Sequence, residues 1–205
     1  LEHEHISYGT LNDSDGNPFK TREGGTKPLS ELFKETLEYI EKINNDLEES
    51  IVSQLTNSVL TYSDLITNRK TDYKFDLEKF TNVNGKTGIY AQYSQVRAKK
   101  LLDNIENNNN ELNNLTLNDV DKKLLSKLYL FSYFIEQSAL LNEPHHLANY
   151  LYEISNLFNQ FYESEKILEI DNSDRLSSKI YITNLFLTTS QNVMWCLGMT
   201  PVSKM

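Results

Sequence analysis

The sequence predicts a mainly α-helical protein: an all-α bundle of four main helices over residues 85–205, preceded by a mixed segment over residues 1–84. Three observations lead there. Apolar residues make up 39% of the 205 positions, enough to fill a core. Glycine and proline number only 7 and 4, too few to punctuate a sandwich or barrel of short strands. Apolar side chains also recur at three- and four-residue steps over long stretches, the period of a helix with one buried face.

Taken in order, His5 to Leu11 reads as a short strand. A loop follows from Asn12 to Gly25, with glycine near both ends and Pro18 inside. Pro28 suits the first turn of a helix in which Leu29, Leu32, Phe33, Leu37, Ile40 and Ile43 repeat at helical steps. A second helix spans about Glu49 to Leu60. Tyr73 to Asp76 reads as extended, with a short helix after it. Asn84-Gly85 marks a turn and the expected domain boundary. A helix from Gly88 to about Ile105 comes next, then a solvated linker around the run Asn107 to Asn110. Asn118 or Asp119 can cap a helix reaching about Leu141. Pro144 opens another, with Leu147, Leu151, Ile154, Phe158 and Phe161 on its inner face. The last runs from about Ser173 to Leu197 and stops at Gly198.

Composition narrows the function classes. Cys196 is the sole cysteine, so no intrachain disulfide can form, and its apolar neighbours predict a buried, inert thiol. No apolar run approaches the length of a membrane span, and the first five residues do not resemble a signal peptide. The chain opens without methionine, as a cut fragment would, and a cytoplasmic monomer is expected. The formal net charge of -9 argues against a general nucleic-acid binder. Residues 1–87 hold 10 Lys+Arg against 16 Asp+Glu, and residues 88–205 hold 10 against 13. Any nucleic-acid contact must therefore use local basic patches and stacking.

Some motifs dissolve on inspection. Gly85-Lys86-Thr87 imitates the end of a phosphate-binding loop, but that loop needs glycine where Phe80 stands. His3 and His5 would share a strand face, whereas His145 and His146 would point about 100° apart on a helix. Neither pair has a cysteine or a suitably spaced third ligand in the sequence, so no metal site is expected.

Two segments carry more chemistry. In Phe19-Lys20-Thr21-Arg22, two cations flank a hydroxyl on a glycine-bounded loop. Such a loop can close over a triphosphate, with Lys20 and Arg22 neutralising charge on the transferring oxygens, or it can be an exposed basic loop. On the helix starting at Gly88, Tyr90, Tyr93, Arg97 and Lys100 share one arc, and Ala91, Ala98, Leu101, Leu102 and Ile105 occupy the adjoining apolar arc. Aromatic faces stack on unpaired bases and arginine binds phosphate. The same tyrosines also read as a cover for the bundle edge.

His5-Ile6-Ser7-Tyr8-Gly9, followed by Asp15 to Gly25, resembles the arginyl-tRNA synthetase form of the class I K-M-S-K-S loop. Thr87-Gly88-Ile89-Tyr90-Ala91-Gln92-Tyr93 resembles the start of that family's anticodon-binding domain, usually T-G-P-Y-L-Q-Y. Glu143 to Glu153, Phe158 to Tyr162, Leu197-Gly198-Met199 and Met205 match its later helices and its ending, in the family's order. The resemblance implies that residues 1–84 are a mixed α/β remnant of a class I catalytic domain and residues 85–205 an anticodon-binding bundle. It implies that Lys20, Thr21 and Arg22 belong to the ATP-side loop used to form arginyl-adenylate, with Lys20 and Arg22 on the ATP. Tyr90 and Tyr93 would contact anticodon bases of tRNA(Arg), with Tyr162 and Met205 shaping the pocket and Gln92 and Arg97 on the tRNA side. Ile89 and Ala91 depart from the usual Pro and Leu, and the loop lacks the literal K-M-S-K-S letters.

The parent enzyme would join arginine to tRNA using ATP with Mg2+. The H-I-G-H motif that helps hold ATP is absent from these residues, so the chain alone is expected to bind no cofactor tightly and to be inactive. Two rival readings remain open: a helical scaffold that binds protein through its aromatic surfaces, and the anticodon-binding domain of another class I synthetase such as the cysteinyl enzyme.

Overall fold

The computed structural model describes residues 3, 5–12, 28–44, 46–105 and 114–205. Their order is β1 (Leu11–Asn12), α1 (Leu29–Ile43), α2 (Glu49–Leu65), β2 (Tyr73–Lys74), α3 (Leu77–Phe80), α4 (Gly88–Asn104), α5 (Asp119–Leu128), α6 (Phe131–Leu141), α7 (His145–Glu163) and α8 (Ser173–Cys196), with a 3₁₀ turn at Ile167–Glu169. The mainly α class holds. Strand β1 is shorter than the stretch from His5 predicts. It pairs in parallel with β2, Leu11 opposite Tyr73 and Asn12 opposite Lys74.

Helix α4 organises the molecule by packing against α2, α7 and α8. The larger core lies among α4, α5, α7 and α8, where Phe158 and Phe186 stack with centroids 4.0 Å apart and planes 4° from parallel. The predicted inner face of α7 is buried throughout: Leu147, Leu151, Ile154, Phe158 and Phe161. A second core joins α1, α2 and α3 to the other side of α4 through Ile40, Val52, Leu55, Phe80, Ile89 and Val96. On α1, Leu29 and Ile43 stay exposed, so its apolar stripe is only partly covered among the described residues.

Two glycines make specific contacts possible. At Gly88 an added Cβ would lie 2.7 Å from the Ser58 carbonyl carbon, so only glycine lets α4 start against the backbone of α2. Gly198 has φ of +76°, and Met199 N donates to Met194 O at 2.8 Å, closing α8 where the sequence predicts its stop.

One predicted helix is two. The stretch capped at Asn118 breaks at Tyr129–Leu130 into α5 and α6. The Tyr150 hydroxyl, held by the fully buried ring, lies 3.2 Å from both Lys127 O and Leu128 O. Its one proton is shared between carbonyls at the break, where a continuous helix would have supplied its own N–H groups. The start of α5 is a reciprocal cap: Asn118 Oδ1 accepts from Asp121 N, and Asp121 Oδ2 accepts from Asn118 N, each at 2.9 Å.

Asp121 also anchors a buried ion network. Lys179 Nζ lies 2.9 Å from Asp121 Oδ1, and neither side chain reaches solvent. Arg175 bridges Asp121 and Glu165, and Lys179 Nζ sits 4.0 Å from the Phe161 ring centre. Burial works to raise the Asp121 carboxyl. Hydrogen bonds from Arg175, the Asn118 N–H and Lys179 outweigh it and hold the group below the usual carboxylate range. The hydrogen bond from Arg175 likewise lowers Glu165.

Candidate nucleic-acid interface

Thr87 sets the start of the site. Its hydroxyl donates to Asn82 O at 2.6 Å and accepts from Tyr90 N at 3.0 Å, capping α4 and fixing where its first tyrosine points. Tyr90, Tyr93 and Arg97 then follow at helical steps and face α7. From α7, Tyr152, Asn156, Asn159 and Glu163 recur at four-, three- and four-residue steps and face back. Two polar-aromatic stripes thus meet along the line where α4 packs on α7.

At one end Lys86 Nζ donates to Asn149 Oδ1 at 2.8 Å and lies 5.5 Å from the Tyr152 ring centre. Tyr152 and Tyr90 are 5.7 Å apart, tilted by 46°. The Tyr90 hydroxyl donates to Asn156 Oδ1 at 3.4 Å. Burial is the main cause that raises the Tyr90 phenol, with smaller help from Tyr152 and Glu163; the Asn159 hydrogen bond and the Arg97 charge pull it down without reversing the rise. It therefore stays a neutral donor.

At the other end the Arg97 guanidinium is bracketed by two rings. Its Cζ lies 4.6 Å from the Tyr93 centroid and 4.8 Å from the Tyr162 centroid. Nη1 donates to Asn159 Oδ1 at 2.9 Å and to Glu163 Oε1 at 3.3 Å, and Nη2 donates to the Tyr93 hydroxyl. Asn159 Nδ2 in turn donates to Ser94 Oγ at 2.8 Å, tying the network to α4. The planar guanidinium is held by hydrogen bonds on its edge and lies within cation–π range of both rings. Its charge is offset by Glu163, so it is less available to phosphate than the sequence reading expected.

The rings are not sealed inside. Tyr93 is 37% exposed, and Tyr90, Tyr162 and Arg97 are half-buried at the rim. Beside Tyr162 a cavity of about 390 Å³ opens, lined by Leu101, Glu165, Ile167 and Leu168 among others. Such a surface can stack flat, unpaired bases and hydrogen-bond their edges through neutral amides and hydroxyls.

Gln92 is a correction. Its side chain is fully buried, donating to Ser58 Oγ at 2.9 Å and Thr200 O at 2.8 Å and accepting from Val202 N at 3.0 Å. It has no face left for a nucleotide and instead positions the C-terminal tail against α2 and α4. Gln95 assists by donating to Val202 O. Met205, at the end of that tail, is half-buried against the second core, on a face of α4 next to the tyrosine arc. Cys196 is exposed rather than buried, because the end of α8 turns it away from the core. Lys20, Thr21 and Arg22 lie outside the described residues.

Sequence reasoning missed Tyr152, Asn156, Asn159 and Glu163 as site residues. Their signal was the regular spacing on α7, legible only once α4 was known to face it. No helix among the described residues is long and apolar enough to cross a membrane.

A family model described as the DALR anticodon binding domain matches residues 91–205. Another, described as the class I (R) tRNA synthetase catalytic domain, matches residues 1–77. An arginine–tRNA ligase of Francisella tularensis subsp. novicida (strain U112) is 35% identical over 86% of this chain and 32% of its own length. That of Shewanella amazonensis (strain ATCC BAA-1098 / SB2B) is 32% identical over 98% of this chain and 36% of its own. The chain thus spans about a third of the length of these curated relatives. Among solved structures, the arginyl-tRNA synthetase of Thermus thermophilus superposes with a TM-score of 0.84 at 20% identity, covering 98% of this chain and 35% of that one. The Plasmodium falciparum enzyme superposes at 0.74 with 24% identity, covering 86% and 33%. At those identities the two structures establish the shared fold. With its matched stretch making up more than half of its residues, the chain belongs to the DALR anticodon binding domain family, and the curated relatives it resembles are arginine–tRNA ligases.

Proposed function

We propose that this chain is the tRNA-facing part of an arginine–tRNA ligase, and that the α4–α7 surface receives unpaired anticodon-loop bases of tRNA(Arg). The observation that carries this is the Arg97 plate between Tyr93 and Tyr162, open at its rim and continued by Tyr90, Tyr152 and Asn156. Stacking recognises bases without a strongly basic surface, which suits a chain of net charge -9. In this reading residues 85–205 are the anticodon-binding domain and residues 1–84 the end of the catalytic domain. Tyr90, Tyr93, Arg97 and Tyr162 face the bases, and Met205 and Gln92 hold the tail beside them. Lys20, Thr21 and Arg22 serve the ATP side of adenylate formation.

The whole ligase would form arginyl-adenylate from arginine and Mg-ATP and pass the arginine to tRNA. These 205 residues contain no H-I-G-H motif, and the described residues hold only a two-stranded piece of parallel sheet, so alone the chain is expected to form no adenylate. Real ATP–pyrophosphate exchange by the chain would overturn that. A soluble cytoplasmic monomer fits the same reading.

The test is binding of purified tRNA isoacceptors to the chain and to Tyr90→Ala and Tyr93→Ala. Arginine isoacceptors should bind best, and each substitution should cost about 1–3 kcal/mol, the worth of one base–aromatic stack. Equal binding of every isoacceptor, or no loss in either variant, refutes the reading. The rival protein scaffold draws on α6, where Tyr133 and Leu140 are exposed. It predicts no isoacceptor preference.

A further inference from the structure

We propose that Glu143, His145 and His146 form a binding site for a divalent transition-metal cation of the zinc class at the turn between α6 and α7. The sequence argued against any such site, because neighbouring histidines on a helix diverge by about 100°. The structure brings them together. His145 opens α7, and the two imidazole rings lean toward each other with centroids 4.1 Å apart. The missing third ligand is Glu143, one residue before Pro144 and outside the helix. Asn142, in the left-handed region with φ of 51°, reverses the chain and turns Glu143 back over α7.

One ligand atom from each of the three residues lies within 4.8 Å of the other two. His146 Nε2 and Glu143 Oε2 are 3.3 Å apart. Two ligands on a tetrahedral cation with bonds of about 2.1 Å stand about 3.4 Å apart, so that pair already has the spacing, and the His145 ligand atom, within 4.8 Å of both, closes in by turning its ring. All three side chains are half-buried: reachable from solvent, yet held by their surroundings. His145 Nδ1 is shut off from solvent without a hydrogen-bond partner, so this ring has bonding capacity that nothing in the protein uses.

The donor set selects the cation. Two imidazole nitrogens and one carboxylate oxygen suit zinc, cobalt or nickel, whereas calcium and magnesium call for mostly oxygen ligands. Three protein ligands leave a position for water. Lys70 is the built-in competitor: its Nζ lies 3.5 Å from Glu143 Oε1, with the lysine side chain 57% exposed and free to swing away. A bound cation would replace that ammonium as the carboxylate's positive partner.

Cobalt(II) titration of the intact chain, followed by its visible absorption, with zinc competition by calorimetry, tests the site. One cobalt per chain should bind and zinc should displace it. Glu143→Gln and His146→Gln should each weaken binding by more than about ten-fold, and Lys70→Ala should tighten it. His3→Gln with His5→Gln should change nothing. Far-ultraviolet circular dichroism checks each fold, and because Lys70→Ala spares every ligand, it stays informative if a histidine variant unfolds. Absence of saturable binding, binding unchanged in Glu143→Gln and His146→Gln, binding lost with His3 and His5, or no tightening in Lys70→Ala overturns the proposal.

Discussion

Replacing Asp121 by asparagine isolates the charge of the buried ion network. Asparagine keeps the shape and leaves an oxygen to accept from the Asn118 N–H, so the cap of α5 survives. What is lost is the negative charge 2.9 Å from Lys179 Nζ, at a site where neither side chain reaches solvent. Lys179 would keep Glu165 at 3.6 Å and Ser164 Oγ at 3.5 Å, neither of them at close ion-pair range. Removing one member of a buried pair costs about 3–5 kcal/mol, and the remaining Glu165 contact places this case near the lower end. Lys179→Met should cost less, because Asp121 keeps both Arg175 and the Asn118 N–H. The double variant Asp121→Asn with Lys179→Met should recover much of the loss, since no unpaired charge is left buried. Urea denaturation followed by circular dichroism measures all four corners of the cycle. Strictly additive losses, or Asp121→Asn costing less than about 1 kcal/mol, would refute the claim that desolvated charge dominates here.

The same network predicts acid sensitivity. Asp121 and Glu165 are held below their ordinary pKa values, so the unfolded chain binds more protons and stability rises with pH. Their contribution is complete above the unfolded values of about 4 and is lost as pH falls through the folded ones. Urea midpoints taken from pH 7 to pH 3 should therefore fall steeply at the acid end, less so in Asp121→Asn; parallel curves would refute this. Gly88→Ala should destabilise by about 1–3 kcal/mol through overpacking, since the new Cβ meets the Ser58 carbonyl and α4 must move off α2. A thermal midpoint within error of the parent would show that the helix crossing gives way freely.

Local signals were legible in the sequence, and contacts across long separations were not. The cap at Asn118, the stop at Gly198 and the inner face of α7 follow from residues within a turn or two of each other, and each stands where the pattern places it. The arc of Tyr90, Tyr93 and Arg97 was legible for the same reason. Its opposite wall was not, because Asn159 and Glu163 lie more than sixty positions away from Arg97 and periodicity says nothing about which stripes meet. Gln92 misled because the resemblance placed it in the tRNA-side motif, while its partner Val202, 110 positions distant, draws it into the interior. The break between α5 and α6 has no glycine or proline to mark it. It depends on the Tyr150 hydroxyl reaching back from α7. Glu143 was passed over beside the histidine pair because sequence spacing does not show that the left-handed Asn142 folds it back toward the start of α7.

The electrostatics of the α4–α7 surface set how binding should respond to salt. Arg97 is its central cation, yet Glu163 sits 3.3 Å away and cancels most of its field at a distance. Lys86 keeps its charge, since its partner Asn149 is neutral, and Lys100 stands exposed farther along α4. About one or two phosphates can therefore be neutralised at this surface. Each contributes a slope of about -0.7 to the dependence of log K on log salt for single-stranded nucleic acid, for a total of about -1. Between 50 and 200 mM salt, affinity should drop about four-fold, against the thousand-fold or more expected of a surface making six or more phosphate contacts. Filter binding or fluorescence titration of an anticodon stem-loop across that range reads the slope directly. A slope steeper than about -4 would mean that binding runs through cations outside this surface and that the tyrosines are a cover for the bundle edge. Glu163→Gln supplies the internal control, because it frees the Arg97 charge without touching either ring: if stacking and not charge holds the bases, the slope should steepen by less than one phosphate's worth.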